Sequence, residues 1–295
     1  IFNTALTANI TPYTLQNGNS NLGVYQYLTT GGKLYYMDGL IDQVRIFGSV
    51  LSSSQITQLY NEKPETDTSN FKTVLYEGTG STQYISNVGM DLETSGGLVW
   101  TKRRTGGDVS HALVDSLRTI STSGTSYIAS DETNQAATSS NMPSSFEANG
   151  FFVQGNGGRT NSSGQDFVSW IWLANGDAQQ NNDGTINGAN CLVSANASAG
   201  FSIVKYTGNN TDNATVGHGL GVAPNLVIVK DLDGNNEWCI GGSTVGDGKN
   251  LYFTTGERLT RDRVKSVQTN TFTLGSHFET NSTNQFIAYC FASKE

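Results

Sequence analysis

The sequence predicts an all-β protein, built from tandem antiparallel β-sandwich domains of jelly-roll-like type with one or two short helices. The first observation is composition: 34 Gly but only 14% charged residues, a polar profile without many charges. This profile is typical of many short strands joined by turns. The chain also has 12 Tyr, 13 Phe and 4 Trp, and disordered chains lack such aromatic content.

The second observation is an internal repeat. The offset between matching residues falls from 130 at Phe71 and Phe201 to 119 at Phe167 and Phe286. Loops can be shortened at little cost, whereas a slip inside a strand turns its apolar set to the wrong face. The matching segments are FKTVLYEG and FSIVKYTG, GLVWTK and NLVIVK, NGFFVQG and NTFTLG, and finally TNSSGQDFVSWIWLANG and TNSTNQFIAYCFASKE.

The repeat divides the chain into five predicted segments. They are a separate β-domain portion at 1–64, a linker at 65–70, a first β-sandwich repeat at 71–176, a linker at 177–200 and a second repeat at 201–295. The second linker is rich in Asn, Gly and Asp, and we expect only short extended pieces around Thr185–Ile186 and Cys191–Val193.

The segment 1–64 contains one predicted strand and one predicted helix. Alternation from Leu40 to Phe47 predicts the strand. Ser52, Ser53 and Ser54 then offer N-cap hydroxyls before Ile56, Leu59 and Tyr60, which recur at helical spacing. Pro64 should end the helix.

The strands that close the two repeats, DFVSWIW and QFIAYCF, are apolar on both faces. Continuous apolarity predicts burial on both sides, hence a central strand in each repeat. Cys290 takes the place of Ile171, and the odd, widely spaced Cys191, Cys239 and Cys290 fit neither a disulfide framework nor a zinc site. We interpret all three as small buried hydrophobes.

The histidines are few, His111, His218 and His277, and His111 is the strongest candidate for acid–base chemistry. His111 has Asp108, Asp115, Ser110 and Ser116 nearby in sequence, yet it aligns within one residue of Trp238 in the second repeat. A structural ring therefore competes with a catalytic one and is favoured. His218 lies between glycines that indicate a turn, and GHGLGVAP is followed by Pro224 and a strand rather than the helix of a phosphate-binding loop.

Carboxylates offer few sites for metals or hydrolysis. Asp231, Asp233, Asn235 and Glu237 alternate as in the first half of a calcium loop, but the bidentate Glu that should follow is missing. A tight Asp-Gly hairpin turn is the favoured interpretation, and whether calcium binds at Asp231 and Asp233 stays open. Asp38 and Asp42 pose the same choice, again resolved toward a turn.

Other nominations rest on short patterns. Asp131 with Glu132, and Glu257 at the matching place, could form a glycosidase pair, but adjacent residues in a strand point to opposite faces. Asn161, Asn209 and Asn281 begin glycosylation tripeptides, which recur by chance in an Asn- and Thr-rich chain. We therefore predict no catalytic, cofactor-binding or metal-binding residue.

The formal net charge of -8 disfavours a nucleic-acid partner, because such proteins depend on clustered Lys and Arg. No apolar run reaches the roughly 18 residues of a transmembrane helix, so membrane insertion is not expected. Ile1 at the start predicts a processed or truncated N-terminus.

Two resemblances suggest a function. DGLIDQVRIFGSVLSSSQITQLYNE resembles the closing strand and helix of a laminin-G/concanavalin A-like domain. GFSIVKYTGNNTDNATVGHGLGVAPNLVIVKD, together with the closing FIAYCFA, is similar to a domain of unknown function in structural and tail proteins of marine bacteriophages. No catalytic residue comes with that family.

The phage resemblance implies a non-enzymatic virion protein: a tail fibre, a tail appendage or a head fibre with a role in host adhesion. Its expected partners are other virion proteins, further copies of itself, with a trimer favoured, and a host-surface glycan. The laminin-G-like tail suggests the alternative of a carbohydrate-binding module of a secreted or cell-surface bacterial protein. A glycan depolymerase is the third hypothesis.

Overall fold

The computed structural model describes residues 50–56, 70–86, 88–253 and 255–293, and the backbone alone at 24–26 and 34–36. The chain divides into two compact units, Ile1–Pro64 and Glu65–Glu295. The prediction of an all-β protein with antiparallel sheets is confirmed.

In the first unit, strands β1 (Val24–Gln26) and β2 (Leu34–Tyr36) pair antiparallel. A helix, α1, is described at 53–56. The Ser52 backbone N–H donates to Gln55 Oε1 at 2.9 Å, and the Gln55 N–H donates to Ser52 Oγ at 3.3 Å. This reciprocal pair is a capping box, so a serine does start the predicted helix. The strand predicted at Leu40–Phe47, the rest of the helix, and Asp38 and Asp42 lie outside the described residues.

The second unit holds the two repeats. The strands of the first repeat are β3 (Phe71–Glu77), β4 (Gln83–Ile85), β5 (Gly97–Arg103), β6 (Ala112–Asp115), β7 (Thr125–Tyr127), β8 (Ala137–Ser139), β9 (Pro143–Glu147), β10 (Gly150–Val153) and β11 (Asp166–Leu173), with helix α2 (Leu92–Ser95) between β4 and β5. The later strands are β12 (Gln179–Asn181), β13 (Gly188–Asn196), β14 (Phe201–Thr207), β15 (Ala214–Gly217), β16 (Leu226–Asp231), β17 (Cys239–Gly241), β18 (Lys249–Tyr252), β19 (Leu259–Thr260), β20 (Val264–Val267), β21 (Thr271–Leu274) and β22 (Gln285–Phe291), with helix α3 (Phe278–Asn281) before β22. With α1, the described residues contain three short helices, one more than the upper limit predicted.

The two repeats have the same strand order. The first main sheet is ordered β3-β11-β5-β6, and the matching strands of the second main sheet run β14-β22-β16-β17. Each repeat also has a three-stranded cover sheet, β4-β10-β9 in the first and β15-β21-β20 in the second. The repeated sequence segments therefore occupy equivalent positions in two equivalent sets of sheets.

Four hydrophobic clusters hold this unit together, the smallest of which groups Ala112, Val114 and Met142 in the first repeat. Ile171 packs with Val99 and Phe151 between the sheets of the first repeat, and Cys290 packs with Phe272 in the second. A third core joins the repeats, where Leu98 and Leu113 of the first main sheet meet residues of the second, including Ile203, Ile228 and Tyr289. The two main sheets thus face each other through their outer surfaces.

This arrangement explains the closing strands. β11 and β22 are each flanked by a strand on both sides, and each buries one face inside its own repeat and the other against its sibling. Double-sided burial and a central position were both predicted. The burial is unequal, because Tyr289 is 1% exposed whereas its counterpart Trp170 is only half-buried.

The segment 177–200 is not the linker that its composition predicts. Residues 179–181 and 188–196 form β12 and β13, and residues 191–196 of β13 pair with β14. Cys191 and Val193, at alternating positions, enter the core of the second repeat. Many of the Asn and Gly residues of this segment lie in turns or at exposed positions, so its composition did not indicate β13.

In the part of the chain that the structure describes, no helix is both long enough and apolar enough to cross a membrane.

Candidate functional site

Each closing segment begins with the same two residues, Thr160–Asn161 in the first repeat and Thr280–Asn281 in the second, and both pairs are buried and hydrogen-bonded. In the first repeat the Tyr76 hydroxyl donates to the Thr160 carbonyl at 2.7 Å. Asn161 Oδ1 accepts from the Thr79 N–H at 3.0 Å, and its Nδ2 donates to the Gly155 carbonyl at 2.9 Å. We call this set the Tyr–Thr–Asn network.

The second repeat reproduces the network. Tyr206 donates to the Thr280 carbonyl at 2.6 Å. Asn281 Oδ1 accepts from Asn209 N at 2.9 Å, and its Nδ2 donates to Gly275 O at 2.9 Å. Burial raises the pKa of both tyrosines, so they stay neutral donors.

Glycines beside the network make room for it. A Cβ at Gly78 would collide with the Ser162 carbonyl, and one at Gly208 with the Ser282 carbonyl. Two of the three glycosylation tripeptides begin inside the network, at Asn161 and Asn281, and both side chains are fully buried. Those two asparagines therefore carry structure in the folded chain, whereas Asn209 is exposed.

His111 is held by structural contacts. The Trp100 indole N–H donates to His111 Nδ1 at 2.8 Å, which requires an unprotonated Nδ1, and the His111 N–H donates to Asp131 Oδ1 at 3.0 Å. Burial lowers the pKa of the ring. By strand register His111 stands where the second repeat has the buried Trp238, as the repeat alignment indicated.

Three other nominated carboxylates, Asp115, Glu132 and Glu257, have structural partners or are exposed. Asp115 is fully buried and bonded to Arg118 and Tyr289. Glu132 forms an ion pair with Arg159 at 2.7 Å. Glu257 is exposed.

His218 and Asp231 both organise loops. His218 is fully buried and its Nδ1 accepts from Leu220 N at 3.2 Å, between Gly219 and Gly221 at positive φ, so the predicted turn is confirmed. Asp231 Oδ1 accepts from Asp233 N at 2.9 Å and Gly234 N at 3.0 Å. The tight hairpin predicted here is wrong, since the connection runs from 232 to 238, but the turn at its start is present.

All three cysteines are buried, as predicted, and burial raises the pKa of Cys191 to about 11 and that of Cys290 to about 12. No group of three His, Cys, Asp or Glu residues placed to hold a metal ion occurs in the described ranges.

An open polar groove of the second repeat is the candidate site. It has a volume of about 650 Å³ and is formed by the 260–263 connection between β19 and β20 and by the residues before α3. Its lining, which we call the groove, consists of Asp212, Thr260, Arg261, Asp262, Arg263, Ser276 and His277.

Two charged residues of the groove lining, Arg263 and Asp212, form ion pairs. Arg263 Nε donates to Glu279 at 2.5 Å, and Lys265 pairs with Asp212 at 3.0 Å. Glu279 also accepts from the Tyr252 hydroxyl at 2.9 Å, which fixes it at the base of α3. Arg261, in contrast, is exposed and has no ion-pair partner within the described residues.

The local field near His277 is positive. Burial, and then the charge of Arg263, lower the pKa of His277, with Arg261 acting in the same direction and Glu279 opposing them. The ring is therefore neutral near pH 7, and its Nδ1 accepts from Glu279 N at 3.3 Å. The Phe278 ring contacts His277 in a tilted arrangement with ring centroids 4.1 Å apart and is 54% exposed.

The groove thus combines hydroxyl groups with a guanidinium that has no ion-pair partner among the described residues, and the exposed ring of Phe278 follows His277 of its lining in the chain. A guanidinium can bind a carboxylate or sulfate through two parallel hydrogen bonds, and an aromatic face packs on apolar C–H surfaces. Sequence reasoning missed the groove, because its residues come from separate loops without a motif. The one available signal was the cluster RDR at 261–263.

Comparison with known proteins identifies a family whose function is unknown. The family described as a domain of unknown function (DUF7483) matches residues 66–295, across both repeats. No curated protein and no solved structure matches the chain.

Proposed function

The chain belongs to the DUF7483 family, and we propose that it is a non-enzymatic structural protein of a bacteriophage virion that contacts a host-surface glycan through the groove. The observation that carries the adhesion role is the exposed Arg261 in the groove, together with the exposed Phe278 that follows His277 of the groove lining in the chain. A tail fibre, a tail appendage or a head fibre would use such a surface.

The non-enzymatic role is supported by what the nominated residues do. His111, His218, Asp115 and Asp231 each use their polar atoms to hold loops or strands. A catalytic acid or base needs a proton-transferring atom within reach of a substrate. The virion assignment is supported by the sequence resemblance to phage structural proteins.

The groove favours an acidic glycan. Arg261 can pair with a uronate, sialate or sulfate group, while Phe278 offers a face for the sugar ring. Asp262, also exposed, can accept hydrogen bonds from sugar hydroxyls. Exposed ion pairs are weak singly, so we expect useful affinity only from several copies acting together.

A glycan array tests the adhesion role. The full chain should bind acidic glycans more strongly than neutral ones, and Arg261→Ala should reduce that binding about tenfold, equivalent to about 1.4 kcal/mol. Arg104→Ala is the matched control, because Arg104 is equally exposed but lies in the first repeat, outside the groove. Binding that is the same for wild type and Arg261→Ala would place adhesion elsewhere.

Two further measurements address the particle itself. Mass spectrometry of purified virions from the source culture should detect the chain, and light scattering of the recombinant chain should give a multimer, with a trimer favoured. A monomer that is absent from every particle preparation would overturn the virion assignment.

A carbohydrate-binding module of a secreted or cell-surface bacterial protein is the second candidate, and the groove favours it equally. It would show glycan binding by a chain that no virion contains. Release of reducing sugar that is lost on an Asp or Glu substitution would instead support a depolymerase.

A further inference from the structure

A second cavity lies in the first repeat, well separated in sequence from the residues of the groove. It has a volume of about 390 Å³, within the range of small-molecule sites, and lies between α2 and β9. Part of its wall is Arg118, a residue that the proposed function does not use.

Arg118 is a buried cation with an incomplete set of partners. Its side chain is 3% exposed and pairs with the fully buried Asp115 at 2.7 Å. Nη2 also donates to the Leu113 carbonyl at 2.9 Å. Nη1 is buried and has no hydrogen-bond partner among the described residues. A buried donor without an acceptor costs about 1–3 kcal/mol.

The sheet order does not depend on this arginine. Strand register places Gly242 of the second repeat where the first has Asp115, and the same offset puts Val245 in the position of Arg118. The second repeat forms the same sheet order without the ion pair. In the first repeat the pair also hydrogen-bonds to Tyr289 of the second repeat, but these structural contacts leave Nη1 without a partner among the described residues.

The rest of the cavity wall indicates the chemistry of a ligand. Ser116, Ser144 and Ser145 supply hydroxyl groups, and Phe146 supplies a half-buried aromatic ring. Such a mixture of hydroxyls and apolar surface matches a molecule that has both hydroxyl groups and C–H faces.

Charge narrows the choice to a neutral ligand. Asp115 already balances the charge of Arg118. Two further carboxylates, Glu93 and Asp177, are exposed at the cavity and would repel an anion but can accept hydrogen bonds from hydroxyls.

We propose that this cavity binds a neutral sugar of monosaccharide or disaccharide size, with an acceptor oxygen of the sugar directed toward Arg118. The site is independent of the groove, and its test is therefore run on the Arg261→Ala protein as well as on the wild type.

Saturation-transfer NMR and titration calorimetry on the full chain are the measurements, with glucose, galactose, mannose and N-acetylglucosamine as neutral probes and glucuronate and acetate as anionic ones. At least one neutral sugar should bind. Thr94→Trp, which places an indole at the cavity wall, should weaken that binding about tenfold or more. Thr138→Trp is the matched control on the exposed strand β8, outside the cavity.

Arg118→Lys retains the positive charge and removes Nη1, so it should also weaken binding. Because this substitution alters a buried ion pair, Thr94→Trp provides the test that does not depend on its folding. The proposal is overturned if none of the neutral sugars binds, if Thr94→Trp binds as the control does, or if glucuronate or acetate binds more tightly than every neutral sugar. Loss of binding in Arg261→Ala alone would assign the sugar to the groove instead.

Discussion

The two repeats share a strand order and a hydrogen-bond network, yet they differ in their ion pairs and in the burial of matching charged side chains. Arg159 and Glu279 immediately precede the echoed Thr-Asn and make ion pairs of opposite polarity, with Glu132 and Arg263. Lys102 and Lys230 match in sequence, but Lys102 is half-buried and Lys230 fully buried. Both repeats therefore keep the Tyr–Thr–Asn network, whereas the ion pairs beside it differ between them.

The largest effect should come from breaking the network itself. Asn281→Ala leaves the Asn209 N–H and the Gly275 and Thr211 carbonyls without their partner. The contact with Gly275 is buried and the other two are part-buried. A buried unpaired group costs about 1–3 kcal/mol, so we expect a total loss of about 3–4 kcal/mol in the free energy of unfolding.

The matched substitution in the first repeat, Asn161→Ala, should cost a similar amount if the two networks are equivalent. Asn175→Ala, at an exposed asparagine outside the network, should cost about 0.5 kcal/mol or less. Chemical denaturation measures all three. A near-neutral Asn161→Ala would mean that only the second repeat depends on its network.

The next largest loss of stability is expected at the buried Lys230, compared with its half-buried counterpart Lys102. Lys230 Nζ donates to the carbonyls of Thr133 at 2.9 Å and Asn236 at 2.6 Å, and so ties a loop of the first repeat to the second. Burial lowers the pKa of Lys230 to about 8, while these carbonyls stabilise its ammonium form. Lys102 Nζ donates to the single carbonyl of Val109 at 2.7 Å.

Lys230→Met should therefore destabilise the chain by about 2–3 kcal/mol, and Lys102→Met by about 1 kcal/mol or less. Thermal unfolding of the pair measures the difference. Equal losses would show that burial of the ammonium does not distinguish the repeats.

The smallest effect concerns pH. The pKa of His111 is lowered in the folded state by burial, so between that value and the unfolded value of about 6.5 the unfolded chain binds more protons. Stability then falls as the pH drops below about 6.5 and is unaffected above it. Trp238, at the same place in the second repeat, cannot titrate.

His111→Gln should leave the free energy of unfolding at pH 8 nearly unchanged. It should also reduce the amount of stability that is lost between pH 7 and pH 5. This reduction should be smaller than the losses expected for Asn281→Ala and Lys230→Met. His218→Gln provides a comparison, because the pKa of His218 is also lowered by burial. Denaturant midpoints across this pH range measure both. A parallel acid response in wild type and His111→Gln would exclude His111 as a contributor.

Much of the fold was predictable, because strand burial follows from the order of apolar residues. The two-sided apolar pattern of DFVSWIW and QFIAYCF specified central strands, and Cys290 in the place of Ile171 specified a core thiol. Strand β13 was missed as an element, because its turn-forming neighbours dominate the composition, although Cys191 and Val193 lie at strand spacing.

The site residues were less predictable, because they depend on which loops meet. The identical Thr-Asn in both copies was visible in the sequence, and the glycines Gly78 and Gly208 at the matching strand ends could have pointed to a close packing contact. Nothing in the sequence brings Arg118 to Tyr289, or Arg261 to His277, since each pair joins distant segments.

The face between the two main sheets contains a contact between equivalent residues. Trp172 and Phe291 hold equivalent places in the two repeats, and their rings meet with centroids 5.7 Å apart. A residue that touches its own counterpart is the contact found on the axis of a twofold dimer. Because both repeats lie in one chain, this contact does not depend on protein concentration, and each half can hold differences that no symmetric dimer could.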